Sequence, residues 1–84
     1  MNYKISISKQ AQKFIKKQPV YQQNRLIDAI YNLPFEGDIK HMAGGEPYEY
    51  RLRVGDYRII YERHDEALFI FVVRAGNRGD IYKK

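Results

Sequence analysis

The stretch Tyr48-Glu49-Tyr50-Arg51-Leu52-Arg53-Val54-Gly55-Asp56-Tyr57-Arg58-Ile59-Ile60-Tyr61-Glu62 alternates apolar and polar residues on either side of a short glycine-containing break. Successive side chains of an extended chain point to opposite faces. Tyr48, Tyr50, Leu52 and Val54 therefore share one face, while Glu49, Arg51 and Arg53 share the other. Gly55-Asp56 has the composition of a two-residue hairpin turn, with glycine taking the positive φ. Tyr57, Ile59 and Tyr61 then resume the apolar face. If those two residues are the whole loop, the register is fixed: Val54 faces Tyr57, Leu52 faces Ile59, Tyr50 faces Tyr61, and Arg53 lies directly across from Arg58. Glu49 falls opposite Glu62.

Downstream, His64-Asp65-Glu66 reads as a second turn, leading into a nearly continuous apolar strand over residues 67–74. A strand apolar on both faces belongs in a sheet interior. Upstream, Tyr3, Ile5 and Ile7 alternate with polar residues, which predicts a short strand. Ser8 can cap a helix running to Gln18, with Ala11, Phe14 and Ile15 on one face. Pro19 ends that helix and suits the first turn of another. Leu26, Ile27, Ile30 and Leu33 give the second helix its apolar stripe, and Pro34 stops it. Two helices joined this tightly should form an antiparallel hairpin. Residues 35–47 read as a glycine-rich loop, with Phe35, Ile39 and Met42 as anchors to the core. The predicted order is β-α-α-β-β-β, an α+β fold with a strand and helical hairpin packed on an antiparallel sheet.

The chain has 84 residues, suited to one domain with one modest core. No cysteine is present, so disulfides and thiolate metal sites are not available. The N-terminus lacks the long apolar run of a signal peptide, and no stretch approaches the length of a membrane span. A soluble, cytoplasmic protein is expected, with no membrane partner. Fifteen Lys and Arg against ten Asp and Glu give a formal charge of +5. That balance suits nucleic acid, an acidic surface or an acidic protein partner, and it also serves solubility alone. Lys9, Lys13, Lys16 and Lys17 on the first helix read as a solvated face.

The hairpin carries the sharper signal. Arg53 opposite Arg58, with Arg51 on the same face, places like charges across strands, an arrangement that destabilises a sheet. Such arginines can simply solvate an outer face while their stems cover apolar surface. They can also form an anion site, since converging guanidiniums are bridged well by phosphate. His41 and His64 could suggest a paired acid and base, but they fall in separate loops and read as solvated. Tyr82, near Arg78, Lys83 and Lys84, could stack on a base or simply pack. No metal-binding cluster, phosphate loop or nucleophile motif is present, and no cofactor is expected.

The run Tyr50-Arg51-Leu52-Arg53-Val54-Gly55-Asp56-Tyr57-Arg58-Ile59-Ile60-Tyr61-Glu62, with Arg74-Ala75-Gly76-Asn77-Arg78-Gly79-Asp80-Ile81-Tyr82, resembles the RelE/ParE superfamily of toxins from toxin–antitoxin pairs. The resemblance spans nearly the whole chain and implies one toxin domain over residues 1–84. It implies two helices on one sheet face and a concave basic groove on the other. For RelE-like members it implies a ribosome-dependent mRNA endoribonuclease, acting in the ribosomal A site by metal-independent attack of the ribose 2′-hydroxyl on the adjacent phosphate. Residue by residue, Arg51 and Arg53 match basic positions tied to activating the nucleophile, and Arg58 matches an arginine that holds the phosphate. Arg78 matches one that helps the leaving oxygen, and Tyr82 a tyrosine that orients the base; Lys83 and Lys84 would add RNA contacts. The implied partners are mRNA, the ribosome and a RelB-like antitoxin with an acidic or amphipathic segment. Two features depart from the pattern: guanidinium is a poor general base, and the chain stops two residues after Tyr82. The same superfamily also includes ParE-like toxins, which poison DNA gyrase and cleave nothing. A relative that has lost toxicity and only binds antitoxin is a third possibility.

Overall fold

The computed structural model of the chain describes residues 2–77. Its elements are β1 (Lys4–Ile7), α1 (Lys9–Lys16), α2 (Val20–Tyr31), β2 (Asp38–His41), β3 (Glu49–Val54), β4 (Tyr57–His64) and β5 (Phe69–Asn77), with a single 3-10 turn at Asp65–Ala67. The strands form one sheet in the order β1-β5-β4-β3-β2. All neighbouring pairs are antiparallel except β1 with β5, which run parallel. The α+β class, the element order up to the helices, and the interior place of the last strand match the sequence-based expectation.

Three details differ. Residues 35–47 are not all loop, because Asp38–His41 pairs with β3 as an edge strand. Of the three anchors expected there, Ile39 packs against the core, Met42 is half-buried, and Phe35 is 67% exposed. Phe35 only sets its edge against Tyr3, 5.8 Å between ring centres. Tyr48 is also turned outward, stacking on His64 at 4.9 Å. Finally, the strand expected over residues 67–74 starts later and runs to Asn77. Residues 65–67 coil into the 3-10 turn, and Leu68 takes a left-handed conformation (φ 48°) to leave it.

Ser8 caps α1 as its position suggested. Its hydroxyl accepts from the Ala11 N–H at 3.1 Å and donates to the Val73 carbonyl at 2.7 Å. Pro19 stands just before α2. The helices close over the inner sheet face, burying Ala11, Ile15, Leu26 and Ile30 against Leu52, Ile59, Tyr61, Ile70 and Val72. Beyond the end of β1, the exposed edge of β5 is met by Gln10. Its side-chain amide donates to the Ala75 carbonyl and its oxygen accepts from the Ala75 N–H, each at 3.0 Å. Ala75 is 2% exposed, so losing that partner strands two buried backbone groups. Gln10→Ala should cost about 1–3 kcal/mol. Urea unfolding measures the cost, and accelerated amide exchange at Ala75 locates it. An unchanged midpoint would mean that water replaces the side chain without loss.

Tyr61 lies at the centre of the inner face, 0% exposed and stacked on Tyr50. Its hydroxyl has no hydrogen-bond partner among the described residues. Burial pushes its pKa up to about 12 from an ordinary 10.0. A raised folded-state value stabilises the protein fully below pH 10, and that contribution disappears as pH climbs through 12. Stability should therefore fall by roughly 3 kcal/mol across that interval. Tyr61→Phe should remove most of the fall and leave the protein as stable or more so at neutral pH, because an unpaired buried hydroxyl is lost. A residual slope remains from Tyr3, raised chiefly by its hydrogen bond to Asp65. If the substituted protein keeps the full alkaline transition, Tyr61 is not its source.

Candidate functional site: a basic sheet face

The β3–β4 turn sets the site. Gly55 adopts φ 58°, a conformation that costs glycine little, and the hairpin closes through Gly55-Asp56 alone. The resulting pairs are Val54 with Tyr57, Arg53 with Arg58, Leu52 with Ile59, Arg51 with Ile60, Tyr50 with Tyr61 and Glu49 with Glu62. Leu52, Ile59 and Tyr61 lie in the core, so Arg51, Arg53 and Arg58 stand on the opposite, helix-free face. The register inferred from the sequence is the one observed.

The neighbouring strands extend this face. On one side β2 sets Asp38 beside Arg53 and Lys40 beside Arg51. On the other, β5 sets Gly76 beside Arg58 and Arg74 beside Ile60. Two rows cross the sheet: Asp38-Arg53-Arg58-Gly76, and Lys40-Arg51-Ile60-Arg74. Five cations and one carboxylate occupy them. Gly76, itself buried, presents no side chain next to Arg58. A bulge between Ile60 and Tyr61 on the β5 side keeps Val72 inward while Arg74 faces outward.

The carboxylate is a loose counter-ion. Arg51 meets Asp38 at 3.7 Å, with the aspartate side chain 62% exposed, so solvent screens the pair. The arginine side chain itself is only 16% exposed, and its Nε is buried without a hydrogen-bond partner among the described residues. Towards the other end of the hairpin the character of the face changes, through Glu49 and Glu62 to His64 and Phe69.

The structure thus brings Arg51, Arg53 and Arg58 together. Arg78, Tyr82, Lys83 and Lys84 lie outside the described residues. Lys40, Arg74 and Asp38 were not anticipated; Ile39 alone between Asp38 and Lys40 is too short an alternation to name a strand. The two histidines do not meet. His41 approaches the Pro47 carbonyl at 2.9 Å and sets its ring edge against Tyr50. His64 pairs with Glu62 at 2.8 Å between the rings of Tyr48 and Phe69. His41 is exposed, as expected, whereas His64 is half-buried. Away from the face, Arg63 bonds Asp65 at 2.6 Å, which holds that carboxyl below the usual range.

Compared with known proteins, residues 5–82 match the model of the ParE toxin of the type II toxin–antitoxin system, parDE. The chain belongs to this toxin family. This ParE-family toxin is also similar in structure to RelE proteins. The archaeal RelE–RelB complex from Pyrococcus horikoshii aligns with a TM-score of 0.77 at 26% identity, covering 95% of this chain and 99% of that one. The RelB–RelE complex from Methanococcus jannaschii aligns at 0.73 and 29% identity, covering 90% and 93%. The isolated E. coli RelE toxin aligns at 0.70 and 22% identity over 95% and 90%, a likeness of fold alone. No curated protein matches the toxin's sequence. Membership of the RelE/ParE superfamily, expected from the hairpin, is therefore established. No helix among the toxin's described residues is long and apolar enough to cross a membrane.

Proposed function

We propose that this toxin is a ribosome-dependent mRNA endoribonuclease. The observation that carries the proposal is Arg53 directly across from Arg58 on a sheet face turned away from the core, with Arg51 and Lys40 in the next row. Crowding like charges across strands costs stability, and a bound phosphodiester offsets that cost through charge-assisted, bidentate bonds. In the reaction, the ribose 2′-oxygen bonds to phosphorus as its proton passes to solvent, and the P–O5′ bond breaks with the 5′-oxygen taking a proton from solvent. The phosphorane gathers negative charge as it forms, and preorganised guanidiniums stabilise it more than they stabilise the substrate. Arginine holds its proton too tightly to accept another group's, so Arg51, Arg53 and Arg58 act by charge and by in-line placement. Arg78 in electrostatic help to the leaving oxygen and Tyr82 in stacking on the base complete the assignment, as the superfamily resemblance implies, and the charges of Lys83 and Lys84 add RNA contact.

A cognate antitoxin is the expected partner. The similar archaeal structures are complexes of RelE with RelB, and a +5 chain suits an acidic or amphipathic segment that folds on contact. A second reading has its own support: the matching family model is that of ParE, whose superfamily branch inhibits gyrase without cutting anything. Toeprinting on translating ribosomes, run beside a gyrase supercoiling assay, separates the two. New mRNA ends at the A-site codon with unimpaired supercoiling support the nuclease. Blocked supercoiling with intact mRNA reverses the assignment, and activity in neither assay leaves an antitoxin-binding module.

A further inference from the structure

Beside the arginine rows, at the β2 edge, lies a cavity of about 230 Å³ lined by Lys40, His41, Met42, Ala43 and Arg51. We propose that it is a nucleotide subsite: Arg51 and Lys40 hold the phosphate next to the one at Arg53 and Arg58, and the attached base lies against Met42 and Ala43. The inference rests on the RNA-cleaving reading and adds to it the position of the neighbouring nucleotide.

Spacing is the first argument. Arg51 and Arg53 share a face two residues apart on β3, which separates them by about 6.6–6.8 Å along the strand. That is close to the step between successive phosphates of an extended single strand. The second argument is unused bonding capacity. Guanidinium offers five donors, yet among the described residues Arg51 has only the distant, solvent-screened Asp38 as an ion-pair partner. Lys40 stands directly across from Arg51 and is exposed, so a phosphate between them would meet two cations. The third argument is the lining. A bare anion site needs no apolar wall, but here the half-buried Met42 thioether and Ala43 adjoin the cations. Polarizable thioether and methyl groups suit the flat face of a base.

The test is direct binding, without ribosomes, of single-stranded 2′-O-methyl oligoribonucleotides carrying one, two or three phosphates, followed by fluorescence anisotropy. Blocking the 2′-oxygen prevents cleavage. The two-phosphate ligand should bind tighter than the one-phosphate ligand. Lys40→Ala should erase that increment, about five- to tenfold, and lower the salt-dependence slope by about 0.7. Lys40→Arg should retain it. Met42→Ala should weaken the two-phosphate ligand several-fold while leaving the salt slope unchanged. The subsite is overturned if affinity does not rise from one phosphate to two, or if Lys40→Ala and Met42→Ala bind as the parent does. It is equally overturned if oligoglutamate of the same charge binds as tightly with the same dependence on Lys40 and Met42, which would make this an acidic-peptide site. Binding as described by a protein that leaves ribosome-bound mRNA uncut would sink the cleavage reading alone.

Discussion

Arg58→Ala is expected to slow cleavage of ribosome-bound mRNA by about two to three orders of magnitude, the usual loss when one preorganised donor to a charged transition state is removed. Arg58 stands across from Arg53 and beside Gly76, at the middle of the row where the reacting phosphate is proposed to sit. It projects from the helix-free face rather than into the core, so the folded fraction should stay near that of the parent. Single-turnover cleavage at saturating toxin reads the chemical step; a loss below tenfold would place the phosphate elsewhere. Arg53→Lys is the companion variant, because lysine can lose its proton when desolvated and arginine practically cannot. If geometry and charge carry the reaction, the lysine variant should be slower, with no new pH dependence, since the bidentate contact is lost. A faster, more pH-dependent enzyme would mean that the site lacks a base and gains one.

Leu52→Ala should cost about 2–5 kcal/mol, the range for emptying a fully buried leucine site. Native domains keep only about 5–15 kcal/mol in all, so this single change takes much of the margin. Leu52 is 0% exposed, lies between Ile39 on β2 and Ile59 on β4, and projects from the strand that carries Arg51 and Arg53. It also fits closely against Gly37, where a methyl group in place of the glycine hydrogen would come within 2.7 Å of the leucine Cδ1. The cavity left behind should loosen β2, so anion binding should weaken along with stability although no charge has changed. Urea unfolding in the presence and absence of phosphate reads both effects. A cost under about 1 kcal/mol would mean that the helices settle into the space.

The hairpin was legible because two independent signals agreed. Period-two alternation named the faces, and a two-residue turn named the register, so the residue pattern alone could set Arg53 against Arg58. The β2 strand was not legible. Asp38, Ile39, Lys40 and His41 include one large apolar residue among polar neighbours, and a glycine at φ 124° precedes them. What makes them a strand is the free edge of β3, a tertiary partner that local pattern does not reveal. Lys40 and Asp38 were missed as part of the site for the same reason. Phe35 and Tyr48 show the converse error. Their apolar character suggested burial, but exposed aromatics are common on small domains, where the core is too small to take every large side chain.

The Gln10 clamp also bears on how the toxin avoids its own kind. β5 outruns β1, and an uncovered strand edge of that length is a template for another chain's backbone. By bonding to Ala75 as a strand neighbour would, Gln10 occupies the place where a second molecule could begin to zip on. Among the described residues, the sheet's outer strands are β1 and β2, four residues each and each carrying a lysine, edges too short and too charged to seed a ladder. Self-association into cross-strand aggregates is thus discouraged by one side chain, and its removal should appear as turbidity at concentrations the parent tolerates.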